Sequence, residues 1–137
     1  MLGYVTVGTN DLERAAKFYD AIAAEMGVGR MMEFDSFIAW GEMDGPAGIA
    51  ATKPYDGKSA SVGNGTMVAL QAADSAQVQR LYEVALANGG TDEGEPGPRG
   101  EADEQGNVFY AAYFRDPDGN KLNAFVMEKT GVTEMAG

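Results

Sequence analysis

Residues 4–27, YVTVGTNDLERAAKFYDAIAAEMG, and residues 67–90, MVALQAADSAQVQRLYEVALANGG, decide the fold when one is laid over the other. A shift of 63 positions brings Val5 onto Val68, Asp11 onto Asp74, Tyr19 onto Tyr82, Ala24 onto Ala87 and Gly27 onto Gly90. Phe18 falls on Leu81, Asp20 on Glu83 and Ile22 on Ala85. These matches occupy cap, core and stop positions, where an architectural repeat would place them. Two unrelated β-α units of similar length are the alternative.

The local patterns agree with a repeat. Leu2 to Gly8, with β-branched Val5, Thr6 and Val7, reads as a strand. Asn10 then offers a helix cap, with Glu13 three positions on to reach back to it. Leu12, Ala15, Tyr19, Ile22, Ala23 and Met26 recur at helical spacing, Phe18 widens the stripe, and Gly27 and Gly29 end it. Short apolar runs at Met31–Phe34, Phe37–Trp40 and Gly48–Ala51 are three further predicted strands. Pro54 to Asn64 is rich in Gly, Ser and Pro and reads as a linker.

The order then begins again. Thr66 to Gln71 is a predicted strand, and Asp74-Ser75-Ala76-Gln77 is a second capping box. Val78, Leu81, Tyr82 and Ala85 form the stripe before Gly89-Gly90. Thr91 to Gly106 reads as an acidic loop with room for a short strand, Val108–Phe114 as a strand, and Asp116-Pro117-Asp118-Gly119 as a turn. Lys121–Met127 is the last predicted strand, and residues 128–137 read as a frayed tail. The predicted fold is α+β, two tandem βαβββ modules over about 1–55 and 65–128, joined by the linker 54–64 in a single domain 1–137.

Composition narrows the chemistry. With 137 residues, 45% of them hydrophobic, the chain can bury a sizeable core in one domain. Ten Lys+Arg against 21 Asp+Glu give a net charge of −11, which argues against nucleic acid and against an anionic membrane surface as partners. The absence of Cys removes thiol nucleophiles, disulfides and thiolate metal sites. The absence of His removes the imidazole base, the Ser-His triad and imidazole ligation. Gly63, Gly65, Gly94, Gly97 and Gly100 form no phosphate loop, since no GxxxxGK[ST] is present. Met1-Leu2-Gly3-Tyr4 lacks a basic leader and Asp11 arrives early, so cytoplasmic residence is the expectation.

If each module lays its helix on one sheet face, the other faces are free to enclose a cavity. Strand alternation puts Val5 and Val7 on the helix side, and Tyr4 and Thr6 toward the cavity. By the same shift Met67, Ala69 and Gln71 face the cavity, and Lys121, Asn123 and Phe125 lie opposite Leu122 and Ala124.

Gly63-Asn64-Gly65-Thr66 leading into a strand, and Ala112-Tyr113-Phe114-Arg115-Asp116-Pro117-Asp118-Gly119-Asn120-Lys121-Leu122, resemble the vicinal oxygen chelate superfamily of glyoxalase I, bleomycin-resistance proteins and extradiol dioxygenases. Gly3-Tyr4-Val5-Thr6-Val7, Asp11-Leu12-Glu13-Arg14-Ala15 and Phe18-Tyr19 are similar too, so the likeness covers roughly residues 2–127. It implies paired βαβββ modules in an open barrel and a homodimer. It also implies a divalent-metal site with one donor from the first and last strand of each module. The position usually held by His in the first strand matches Tyr4, and its second-module counterpart matches Met67. The usual Glu after the DPDGN turn matches Asn123, and the fourth position falls on Ile49 or Ala51.

All four depart from the metal-binding pattern. Thioether, alkyl and neutral amide groups are poor partners for a hard dication, and a neutral phenol is weak as well. No metal and no cofactor are therefore expected, and no catalytic residue is assigned. The expected function is metal-independent binding of a small organic molecule by Tyr4, Thr6, Trp40, Met67, Gln71, Tyr113 and Asn123, with Tyr110 and Arg115 also near the cavity. Met67 and Trp40 equally suit core filling, and Tyr4, Gln71 and Asn123 equally suit hydrogen bonding among themselves. Arg115 equally suits a surface pairing with Asp116 or Asp118. The acidic balance favours a cationic ligand. A glyoxalase-like lyase or a dioxygenase, holding metal through other oxygen ligands, is the alternative.

Overall fold

The computed structural model describes residues 1–129. In chain order the elements are β1 (Tyr4–Gly8), α1 (Leu12–Glu25), β2 (Gly29–Phe34), β3 (Phe37–Gly41) and β4 (Gly48–Thr52). They are followed by β5 (Val68–Gln71), α2 (Ser75–Ala87), β6 (Thr91–Arg99), β7 (Asn107–Arg115) and β8 (Lys121–Lys129). The first sheet has the order β1-β4-β3-β2 and the second β5-β8-β7-β6. In each, the first strand pairs in parallel with the last and the remaining pairs are antiparallel. The βαβββ unit is thus built twice, as the 63-residue shift requires.

Both helices begin on a carboxylate. Asp11 accepts the Arg14 amide hydrogen at 3.1 Å, and Asp74 accepts that of Gln77 at 2.8 Å, so each satisfies a donor that has no partner within its helix. The first cap lies one residue beyond Asn10. Asn10 is used elsewhere: its Oδ1 accepts from the Ala60 amide at 2.6 Å, which fastens the linker to the end of β1. Gln77 reaches back to the Ala73 amide at 2.8 Å and not to the cap itself.

The acidic stretch after Gly90 is a correction to the sequence reading. Thr91–Arg99 forms a nine-residue strand, not a loop. It lies at the sheet edge and pairs only with β7, with irregular register between Asp92 and Gly97. At the other end, β8 extends through Glu128 and Lys129, and the rest of the expected tail lies outside the described residues.

One apolar core joins the modules. Phe18, Tyr19, Ile22 and Ala23 of α1 meet Ile38, Trp40 and Ile49 of the first sheet. In the same cluster, Val78, Leu81 and Ala85 of α2 meet Ala112, Phe114, Leu122 and Ala124 of the second. Phe18 packs edge-on to Tyr19 at 4.8 Å and tilted to Phe114 at 6.4 Å, so a helix of one module touches a strand of the other. Each large side chain buried this way contributes about 1.5–3 kcal/mol.

The β7–β8 turn adds a polar tie across the modules. Buried Asp116 accepts the Tyr19 hydroxyl at 2.6 Å and the Asp118 and Asn120 amides at 2.9 Å each. Asn120 Nδ2 donates at 2.9 Å both to Asp116 and to the Gly8 carbonyl at the end of β1. Arg14 of α1 completes the contact with Asp118 at 2.9 Å. This is why Asp, Asp and Asn recur in the turn: their short side chains bond local amides while their remaining atoms face module one.

Candidate functional site

The core fixes which way each strand residue points. Val5, Ile49, Val68, Tyr110, Ala112 and Leu122 join the helix-side cluster. Their strand neighbours therefore stand on the opposite, open faces of the two sheets.

On the first open face, Tyr4 is 43% exposed and meets Phe37 edge-on at 5.7 Å. Phe37 in turn lies 6.3 Å from Phe34, so three rings form a row. Thr6 is exposed beside Ala50, its partner in the parallel β1–β4 register.

The second open face is richer. Tyr113 of β7 is in register with Asn123 of β8, which is in register with Ala69 of β5. Asn123 is only 2% exposed, and its Oδ1 has no hydrogen-bond partner among the described residues. A buried carbonyl oxygen left this way is an unmet acceptor, which is costly unless a donor reaches it. The Arg99 guanidinium and the Lys121 ammonium each lie 5.5 Å from the Tyr113 ring centroid. Phe109 and Phe125 stack at 5.4 Å further along. Gln71 is exposed at the end of β5. Arg115 pairs with Glu93 at 2.9 Å and with the Gly119 carbonyl at 2.8 Å, and not with Asp116 or Asp118.

Trp40 and Met67 stand apart from these faces. Trp40 packs against α1, its ring 5.3 Å from Tyr19, and its Nε1 donates to Asp20 at 2.7 Å. Arg30 grips the same carboxylate at 3.0 and 2.9 Å, which together with Trp40 holds it below the usual carboxylate range against the opposing effect of burial. Tyr110 also turns inward, with its hydroxyl bonded to Gln79 Nε2 at 2.9 Å. Met67 precedes β5 and is 42% exposed. Trp40 and Met67 share a largely apolar cavity of about 470 Å³, whose walls include Val5, Ile22, Met26 and Leu70. Ile22 and Met26 were legible only as a helical stripe, because periodicity cannot distinguish a packed contact from a cavity wall.

Two βαβββ modules with helices on one side of each sheet define the paired-module class of metal-site and drug-binding folds. Residues 1–124 match the family model described as the Glyoxalase/Bleomycin resistance protein/Dioxygenase superfamily, and the chain belongs to it. A glyoxalase/bleomycin resistance protein from Albidiferax ferrireducens T118 is 36% identical, with a TM-score of 0.79 over 92% of this chain and 98% of that one. A glyoxalase/bleomycin resistance protein/dioxygenase family enzyme from Burkholderia phytofirmans PsJN shares the fold at 18% identity, with a TM-score of 0.70 over 92% and 98% of the two chains. No curated protein matches.

The superfamily raises the question of a divalent metal. Ile49 and Ala51 are corrected as the fourth position, because both belong to the helix-side core. Asn123 is in register with Ala69, the counterpart of Thr6 under the 63-residue shift, and Thr6 is in register with Ala50. Buried Ala50 is therefore the residue equivalent to Asn123. A phenol, a methyl group, a thioether and an amide with one uncommitted oxygen do not fit a hard dication. Among the described residues no three Asp or Glu side chains gather into an alternative site.

Proposed function

We propose that the chain binds a small organic molecule without a metal ion, against the open sheet faces that carry Tyr4, Thr6, Gln71, Tyr113 and Asn123. Met67 and Trp40, expected in the same site, line instead the apolar cavity of about 470 Å³ on the helix side. One observation carries the reading: at the four positions equivalent to the superfamily's ligands stand Tyr4, Ala50, Met67 and Asn123, which offer aromatic, apolar and amide surface. Such surface suits an organic ligand, for which apolar walls supply affinity and a few polar groups orient it. A homodimer, which the family resemblance implies, and cytoplasmic residence belong to the same reading. No helix among the described residues is long and apolar enough to cross a membrane.

Elemental analysis of untagged protein purified without chelator tests the proposal, together with ligand titrations repeated in EDTA. The expected outcome is a substoichiometric metal content and binding that EDTA leaves unchanged. A stoichiometric divalent metal, removed by chelator with loss of binding, would overturn it.

A further inference from the structure

We infer that the open face of the second sheet takes a small planar organic carboxylate that also bears a hydroxyl or amide hydrogen. This inference rests on the metal-independent binding proposed above and names its ligand class.

Cations are scarce in this chain, with 10 Lys+Arg against 21 Asp+Glu. Arg14, Arg30, Arg80 and Arg115 are each taken up by a carboxylate. Arg99 and Lys121 have no carboxylate partner among the described residues, yet both approach the ring of Tyr113 at 5.5 Å. The two cations flank one half-buried ring, at most about 11 Å apart, and an anion placed beside that ring is stabilised by both.

Arg99 is also held in advance. Its Nη2 donates to the Glu95 carbonyl at 2.6 Å and its Nη1 to the Gly97 carbonyl at 2.9 Å. Glycines line its bed: a Cβ on Gly94 would stand 3.2 Å from both Nη2 and the Tyr113 ring, and one on Gly97 would stand 3.3 Å from Nη1. A guanidinium fixed by backbone loses little freedom on meeting a carboxylate. The neighbouring charges on this face, Arg115 and Glu93, neutralise each other at 2.9 Å.

The second component is Asn123, next to Tyr113 in register, buried and with Oδ1 unpartnered. An acceptor in that state calls for a hydrogen from the ligand. The ligand thus needs an anionic end for Arg99 and Lys121, a flat body for Tyr113, and a donor for Asn123. The net charge of −11 had favoured a cation. Short-range charge at the face argues the other way, because the screening length in physiological salt is only about 8 Å.

A charge series on one ring tests this: 3-hydroxybenzoate, 3-methoxybenzoate, 3-hydroxybenzyl alcohol and 3-hydroxybenzylamine, titrated calorimetrically into the full chain in EDTA. The hydroxybenzoate should bind about tenfold tighter than the alcohol or the ammonium probe, and severalfold tighter than its methoxy analogue. Arg99→Gln and Lys121→Gln should each weaken it about fivefold, with thermal midpoints showing that both variants fold. Equal or tighter binding of the alcohol or the amine, no binding of the carboxylate, or indifference of folded Arg99→Gln and Lys121→Gln overturns the inference. Alcohol binding in EDTA that equals or exceeds that of the carboxylate sinks this inference while leaving metal-independent binding intact. Carboxylate binding that vanishes in EDTA and returns with added zinc sinks both.

Discussion

Replacing Tyr19 by Phe removes a single oxygen from the contact between the modules and leaves the shape of the core nearly unchanged. That oxygen donates to buried Asp116 at 2.6 Å. A hydrogen bond to a charged acceptor contributes about 1.5–3 kcal/mol net. Asp116 keeps three other donors, the Asp118 and Asn120 amides and Asn120 Nδ2, so its charge is not stranded and the cost belongs at the lower end, about 1.5–2 kcal/mol. For a chain of this size that corresponds to a fall of about 5–8 °C in thermal midpoint. Trp40, the single tryptophan, lies 5.3 Å from the Tyr19 ring and reports the transition by fluorescence in guanidinium, with circular dichroism as an independent probe.

A pH signature separates this contact from generic packing. Burial, reinforced by the Asp116 and Asp118 charges, pushes the Tyr19 hydroxyl well above its ordinary value of 10.0. The stability this contributes is complete below pH 10.0, where both states are protonated, and is lost as pH rises further. Above that point the unfolded chain ionises at this tyrosine while the folded chain does not, a slope of about 1.4 kcal/mol per pH unit. Tyr19→Phe should lack this component. A variant within about 0.5 kcal/mol of the parent, with the same alkaline slope, refutes the assignment.

Gly48→Ala should cost more than about 3 kcal/mol and deplete folded protein, because its Cβ would stand 2.3 Å from the Trp40 carbonyl oxygen within the β3–β4 pair. Gly57→Ala, which meets nothing but keeps φ at +76°, should cost about 1 kcal/mol; equal denaturation midpoints for the two would contradict the steric reasoning. Asp20→Asn should flatten acid denaturation. Arg30 holds the Asp20 carboxyl below 3.8, so its stabilisation is complete above that pH and disappears as pH falls through the lowered folded value. Its side chain is 46% exposed, so screening keeps the effect under about 1 kcal/mol, and an unchanged acid limb in the variant would show that the pairing contributes nothing.

Much of the architecture was legible because it rests on strong local signals. Asp74 caps α2, Gly27 takes a positive φ of 79° after α1, and the stripe through Tyr19 and Ile22 faces the core. The β6 strand was hidden for a physical reason. An edge strand between solvent and β7 has no second neighbour to demand apolar alternation, and Asp92, Glu93, Pro96 and Pro98 there discourage pairing with another chain. The site was legible in its parts. Asn123, Tyr4 and Thr6 turn away from the helices as alternation implied, and Tyr113 does so too while Tyr110, expected beside it, turns inward; Trp40 turns toward α1, where Asp20 supplies the partner its indole needs. Ala50 was missed because the length of the β3–β4 connection does not reveal register, which the β1 pairing sets. Arg99 and Lys121 carried no local sign of convergence, since residues so far apart in sequence meet at Tyr113 only through the β6–β7–β8 ladder.

The two tyrosines that the repeat superimposes have taken up different lives. Tyr19 reaches across to Asp116 in the other half, whereas Tyr82 bonds at 3.0 Å to Asp92, a neighbour within its own half. Duplication supplies twin blocks, but only one twin extends the bolt and only the other offers the socket. Two copies of the front block could rebuild the sheets and would still lack a socket, because the position that the same shift lays on Asp116 holds Lys53, so the unlike halves are part of what the molecule is.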